Sequence, residues 1–236
     1  MGIYLEIILP VGIPPLQDRK KLLEAIQLLP ACEAFRLSPY QAFLQRRRCR
    51  LAHFPEEDRE LTALSHRVDP EHPPRVDLPP ELESKWRQPW EWRVESCMGS
   101  NDEYFPVLML DTPLEFYLEF WTCLLSVSSF GRKINVTDPR FRQDHLKLGR
   151  SLAELFGADE ALYLPDSSAE SSGVICMMNL DFVTLKKWLR DACGPPKADL
   201  GQLEVDLGGG GYDLEGYYLE RRHAEGAWTP VANDGS

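Results

Sequence analysis

The sequence predicts an α+β fold: a mainly antiparallel sheet with helices packed on it. Three observations lead there. Short β-branched or aromatic runs, such as IYLEIIL (3–9) and YFPVLML (104–110), are interspersed with runs whose apolar residues recur at helical spacing. The two kinds do not alternate in the strict order that builds a parallel sheet. The 236 residues, 43% hydrophobic and 27% charged, are ordinary for a globular chain and enough to bury a core.

Residues 3–9 suit a mostly buried first strand, ended by Pro10 and Gly12. A helix is predicted from about Asp18 to Leu29, where Leu22, Leu23, Ile26 and Leu29 share a face and Pro30 stops the run. Ser38-Pro39 opens another, with serine as N-cap and proline at the first helical position. That helix carries Arg46, Arg47, Arg48 and Arg50, the only basic cluster evident along the chain. Glu56, Glu57, Asp58 and Glu60 follow closely, so the cluster lacks the basic field of a nucleic-acid surface. Residues 69–90 hold six prolines, which remove donors and disfavour helix, and read as an extended connector pinned by Trp86, Trp90 and Trp92. The organisation expected is 1–68 as an N-terminal strand plus helices, 69–90 as connector, 91–223 as an α+β core, and 224–236 as a polar tail, all of which can belong to one domain.

EWRVES (91–96) and YFPVLML form a predicted hairpin. Thr112-Pro113-Leu114-Glu115 resembles a helix start, and the apolar run from 113 to about 127 is expected as a buried helix. RKINVT (132–137) reads as a short strand. Asp138-Pro139 begins a helix to Phe156, ended by Gly157. ALYLP (161–165) and GVICMM (173–178) read as strands around a Ser-rich acidic loop. Phe182 to Cys193 reads as a helix with Phe182, Leu185, Trp188 and Leu189 on one face, ended by Gly194-Pro195-Pro196.

Four consecutive glycines, 208–211, lie between two runs that alternate apolar and acidic residues, LEVDL and YDLEGYY. A phosphate loop would close on Gly-Lys-Ser/Thr, and a dinucleotide fingerprint would open a helix; neither follows here. A hairpin fits, because glycine tolerates the positive φ of a tight turn. With the glycines as loop, Glu204, Asp206, Asp213 and Glu215 share one side, with Asp206 opposite Asp213 and Glu204 opposite Glu215. Like charges across a ladder repel, so this side either splays into water or takes a counter-charge from Arg221 and Arg222, from a divalent cation, or from a basic partner. Tyr212 and Tyr217 would add contact area.

Catalytic signatures are absent from the sequence. None of the five histidines pairs at the i, i+4 spacing of a helical zinc site, and no metal or cofactor is expected. An enzyme, if this is one, would use Asp166, Ser167, Glu170 and His145, since loops after strands often carry acids. Cys123 and Cys176 sit in apolar runs and read as small buried hydrophobes, and no C-x-x-C pair occurs. Together with a start lacking a signal-peptide pattern, this suggests a reduced, cytoplasmic chain. The longest apolar stretch, 114–127, is shorter than a bilayer span and contains Glu115 and Glu119.

The net charge is −11. It is concentrated: residues 151–236 hold 15 Asp and Glu against 6 Lys and Arg. This third repels nucleic acid and steers basic partners inward. The expectation is an acidic binding or inhibitory protein that engages a basic protein, a bacterial immunity protein neutralising a toxin being one form. The alternatives are an enzyme with a site near 165–172 and a structural subunit of a larger assembly.

Overall fold

β1 (Tyr4–Leu9) is the strand around which the sheet is laid out. The structure, a computed structural model, describes residues 4–14, 19–28, 91–98, 104–111, 116–129, 139–166, 179–203 and 216–231. After α1 (Arg19–Leu28) come β2 (Glu91–Met98), β3 (Tyr104–Asp111), β4 (Phe116–Phe120) and β5 (Leu125–Ser129). α2 (Pro139–Phe156), β6 (Glu160–Asp166), α3 (Phe182–Cys193), β7 (Tyr218–Arg222) and β8 (Trp228–Pro230) follow. The strand order is β2-β3-β4-β5-β1-β6-β7-β8, and every neighbouring pair is antiparallel. The fold is therefore α+β, with an antiparallel sheet carrying helices.

β1 lies between β5 and β6, with Ile7 opposite Val127 on one side and Tyr163 on the other. A central strand covered on both faces needs apolar residues at both parities, which IYLEIIL supplies. Ile7 and Leu9 join Val127, Leu118, Phe120 and Tyr163 beneath α1 and α2. Ile8 joins Leu162, Leu164 and Leu219 on the other face, beneath Phe182, Leu185 and Leu189 of α3. Glu6 is the polar exception in the strand, buried and accepting a hydrogen bond from the Ser126 hydroxyl.

The expected hairpin at 91–110 forms, with Val94 opposite Leu108. α2 starts at Pro139 and stops at Phe156, where Gly157 takes a φ of 78° and the Ala158 N–H returns to the Ala153 carbonyl. α3 has the bounds predicted. Asp181 caps it by accepting from the Thr184 N–H at 2.8 Å, which holds the Asp181 carboxyl below its ordinary range.

Three expectations are overturned. Residues 116–129 are a β-hairpin, not part of a helix from 113 to 127. Their apolar character at both parities reflects a sheet buried on two faces: Leu118, Phe120, Leu125 and Val127 point to one core, Trp121 and Leu124 to the other. A short continuous apolar run has no periodicity to separate the two cases. Thr122 and Cys123 form the two-residue loop, closed by Trp121 N–H to Leu124 O at 2.7 Å. Cys123 is consequently exposed, not a buried hydrophobe. The polar tail expected from 224 contains β8, whose Thr229 lies opposite Arg221. Gly226, at φ 86°, makes the turn, and Trp228 packs against the α2-side core.

The expectations for residues 38–51, 69–90, 132–137 and 173–178 lie outside the described residues. β1 and α1, which precede the proline-rich segment, share one sheet and one core with elements that follow it.

Gly149 of α2 sits over Tyr163. A Cβ there would come within 2.5 Å of the Tyr163 Oη. Alanine in a helix interior ordinarily gains about 1 kcal/mol over glycine, but overpacking costs about 1–3 kcal/mol. Gly149→Ala is expected to lower the urea midpoint; a raised midpoint would show that α2 does not need this close approach.

Candidate functional site

β7 has charged residues directed to both faces of the sheet. Tyr218 and Glu220 face α2, whereas Leu219 and Arg221 face α3. On the α2 side Glu220 is 0% exposed. Arg150 grips it with a two-pronged contact, Nε to Oε2 at 2.9 Å and Nη2 to Oε1 at 2.6 Å. The Tyr218 hydroxyl donates to the same carboxylate at 2.9 Å. Burial, and then the Glu220 charge, pushes the hydroxyls of Tyr163 and Tyr218 well above their ordinary value. The Glu220 carboxylate also raises the Arg150 guanidinium further above its own.

On the α3 side, Arg221 lies directly opposite Glu160 of β6 and donates to its Oε1 from Nε at 3.0 Å and Nη2 at 2.9 Å. Lys186 of α3 pairs with the other oxygen of Glu160 and lies 5.1 Å from the Phe182 ring centre. These two cations stand at the edge of a cleft of about 260 Å³ between α3 and β7. Lys187 and Arg190 also line it. Tyr217, Leu219, Pro196, Val183 and Val231 supply an apolar lining. Val183 is 73% exposed. Four of the six lysines and arginines in residues 151–236 thus converge on one cleft of an acidic chain.

Of the residues singled out from sequence, Glu204, Asp206, Tyr212, Asp213 and Glu215 lie outside the described residues. Tyr217 is described and is 3% exposed, its ring in the α3-side core and its hydroxyl pushed upward by burial. The run expected as the second ribbon of the glycine hairpin does become a strand at Tyr218. Its neighbours are β6 and β8, and Leu203, expected in the first ribbon, ends a short 3₁₀ turn at Leu200–Gln202. Arg221 and Arg222, the internal counter-charges considered for the acidic run, contact Glu160 and Glu154, the latter at 3.8 Å.

Among the residues considered for catalysis, His145 is 1% exposed on α2. Asp166 ends β6 in register with Tyr4. Ser167 and Glu170 lie outside the described residues. No group of three or more potential metal ligands forms among the described residues, and no described helix is long and apolar enough to cross a membrane.

Sequence reasoning missed the cleft. Its signal was nonetheless present in α3: Val183, Lys186, Lys187 and Arg190 follow i, i+3, i+4, i+7, a stripe beside the buried Phe182, Leu185 and Leu189. Arg221 joins them only through the pairing of β6 with β7. No protein-family model, curated protein or solved structure matches the chain.

The Glu220 fork gives an asymmetric prediction. Removing Arg150 leaves a fully buried carboxylate without its counter-charge, a loss of about 3–5 kcal/mol. Removing the charge of Glu220 leaves Arg150, whose side chain is 36% exposed and can reach water, for about 1–3 kcal/mol. Denaturant unfolding is expected to rank Arg150→Met as more damaging than Glu220→Gln.

A second prediction concerns alkaline pH. The hydroxyls of Tyr163, Tyr217 and Tyr218 are all raised above 10.0 in the folded state. Below pH 10 these tyrosines stay protonated folded or unfolded, so stability does not change through them. Above it the unfolded chain sheds their protons first, so stability falls as pH rises toward the folded values. Tyrosinate absorbance for these residues is expected to appear with unfolding, not ahead of it.

Proposed function

We propose that the protein is an acidic binding protein that engages a basic protein partner through its C-terminal third, as an inhibitory or immunity protein would engage a toxin. The observation that carries this reading is the segregation of charge. Residues 151–236 hold 15 acidic groups against 6 cations. Four of those cations line the α3–β7 cleft, leaving Lys197 and Arg222 to offset the acids elsewhere in this third. Arg222 itself contacts Glu154. A surface depleted of positive groups in this way presents a negative field, which accelerates encounter with a basic partner and disfavours nucleic acid. Glu204, Asp206, Asp213 and Glu215 are the acids proposed to face the partner, with Tyr212 beside them; Tyr217, expected to add contact area, is buried in the α3-side core and is not part of this surface.

The test is charge reversal. Affinity capture from the native source with the wild-type chain is expected to enrich basic proteins. Asp206→Lys with Asp213→Lys is expected to slow association with the captured partner by about tenfold or more at low salt. The same proteins captured at the same rate by both chains, across a range of salt, would overturn the reading.

A further inference from the structure

We propose that β2 is the seam of a symmetric dimer, in which its outer edge pairs antiparallel with β2 of a second copy of this chain. The inference rests on residues separate from the acidic run and stands or falls independently of it. β2 is the first strand in the sheet order, so β3 is its only strand neighbour among the described residues. The two ends of the sheet differ. β8 is three residues long and ends in Pro230, two features that blunt an edge against further pairing. β2 has eight residues and holds neither proline nor glycine. A long edge of this kind is a template for another strand.

The register with β3 fixes which backbone groups β2 presents. Pro106 of β3 lies opposite Ser96. Proline has no N–H, so this pair falls where the two strands exchange no hydrogen bond. Pairs that bond alternate with pairs that do not. Glu91, Arg93, Glu95 and Cys97 therefore bond to β3. Trp92, Val94, Ser96 and Met98 turn their N–H and C=O groups to the outer edge. In an antiparallel ladder outward groups must meet outward groups. Between two copies of β2, only registers that set even positions opposite even positions satisfy this.

Charge selects among those registers. A two-fold axis at Arg93 would set Arg93 opposite itself and Glu91 opposite Glu95. An axis at Glu95 would set Glu95 opposite itself. Axes at Trp92 or Ser96 shorten the overlap. An axis at Val94 pairs Glu91 through Cys97 and sets Arg93 opposite the second copy's Glu95, twice by symmetry. These opposite-charge pairs fall at the positions that exchange no backbone bond, where side chains on neighbouring strands lie closest. The charges on this edge thus reject the competing registers and favour one. The acidic excess of the chain lies in residues 151–236, whose strands β6, β7 and β8 form the other end of the sheet, away from the axis. Two copies joined in this way share one continuous sheet.

Sedimentation equilibrium of the full chain over a concentration series is the test. The mass is expected to rise from 27.0 kDa toward twice that value. Arg93→Glu sets glutamates opposite each other at both symmetric positions and should weaken association by about tenfold or more. Arg93→Gln, which only removes the attraction, should weaken it less. Glu95→Arg should act as Arg93→Glu does, with arginines opposed. An equimolar mixture of Arg93→Glu and Glu95→Arg chains restores opposite charges at both positions and should dimerise as the wild type does. So should the chain carrying both changes. Residue 93 lies opposite Met109 and residue 95 opposite Val107, so none of these changes breaks a charged pair with β3. Lys187→Glu, the same change of charge on the exposed surface of α3, should leave association unaltered, as should Asp206→Lys with Asp213→Lys. A wild-type chain that stays monomeric at every concentration would overturn the proposal. So would a dimer indifferent to Arg93→Glu and Arg93→Gln, or variants with normal thermal midpoints that fail to dimerise when mixed. A monomer that loses a captured foreign protein on Arg93→Glu would assign the edge to that protein and overturn the dimer equally.

Discussion

A fully buried carboxylate on β7 meets a partly exposed guanidinium on α2, and this contact fixes where the last third of the chain can lie. An isolated Glu220 carboxylate at 0% exposure would be strongly disfavoured; the Arg150 fork and the Tyr218 hydroxyl together make its burial tolerable. The more telling consequence is register. β7 reads Tyr218-Leu219-Glu220-Arg221-Arg222, so a slip of one residue exchanges the two faces. A slip in one direction would set Arg221 in the place of Glu220, against Arg150, and a slip in the other would set Glu220 opposite Glu160. Either direction turns one of the two opposite-charge clusters into a like-charge one. The apolar neighbours discriminate less: Tyr218 and Leu219 are both buried, one on each face. Electrostatics on the two faces specifies the pairing that hydrophobicity leaves loosely defined.

The parts of the fold legible in the sequence are those with a terminator or a period. α2 begins at Pro139 and α3 after the Asp181 cap, each ends at a glycine with positive φ, and both were readable nearly to the residue. β1, β3 and β6 were readable as short apolar runs between breakers. What escaped was tertiary in origin. The run from Phe116 to Ser129 satisfied a buried helix and a doubly covered hairpin equally by composition, and only its neighbours β3 and β1 decide between them. β8 is three residues long and borrows its stability from β7 and from Trp228 against the core. A compositional reading of a polar terminus has no access to either.

The same contrast governs the candidate site. The acidic run around the four glycines stood out because its charges are contiguous in sequence. The basic cleft is assembled from α3 and β7, separated by some thirty residues, and no linear window contains it. Its helical half was written in the spacing of Val183, Lys186, Lys187 and Arg190. That spacing alone equally describes a solvated helix face. The face acquires significance only when Arg221 is brought opposite Glu160 and Leu219 forms a wall beside it.

Strand parity thus links the two themes of this molecule. Alternation sends Glu220 toward α2, where its charge is matched and hidden, and sends Arg221 toward α3, where its charge adds to three others around an opening. Had both residues been apolar, β7 would bury as well, but the cleft would lose a cation and Glu160 a partner. Had both been acidic, the cleft would lose a cation and the pairing with β6 would set like charges opposite each other. The order Glu-Arg on a strand covered from two sides is what allows one element to anchor the sheet through Glu220 and to pair with Glu160 of β6 through Arg221. Any displacement of Arg150 from Glu220 should therefore propagate to the cleft, because the strand that carries one side chain cannot shift without carrying the other.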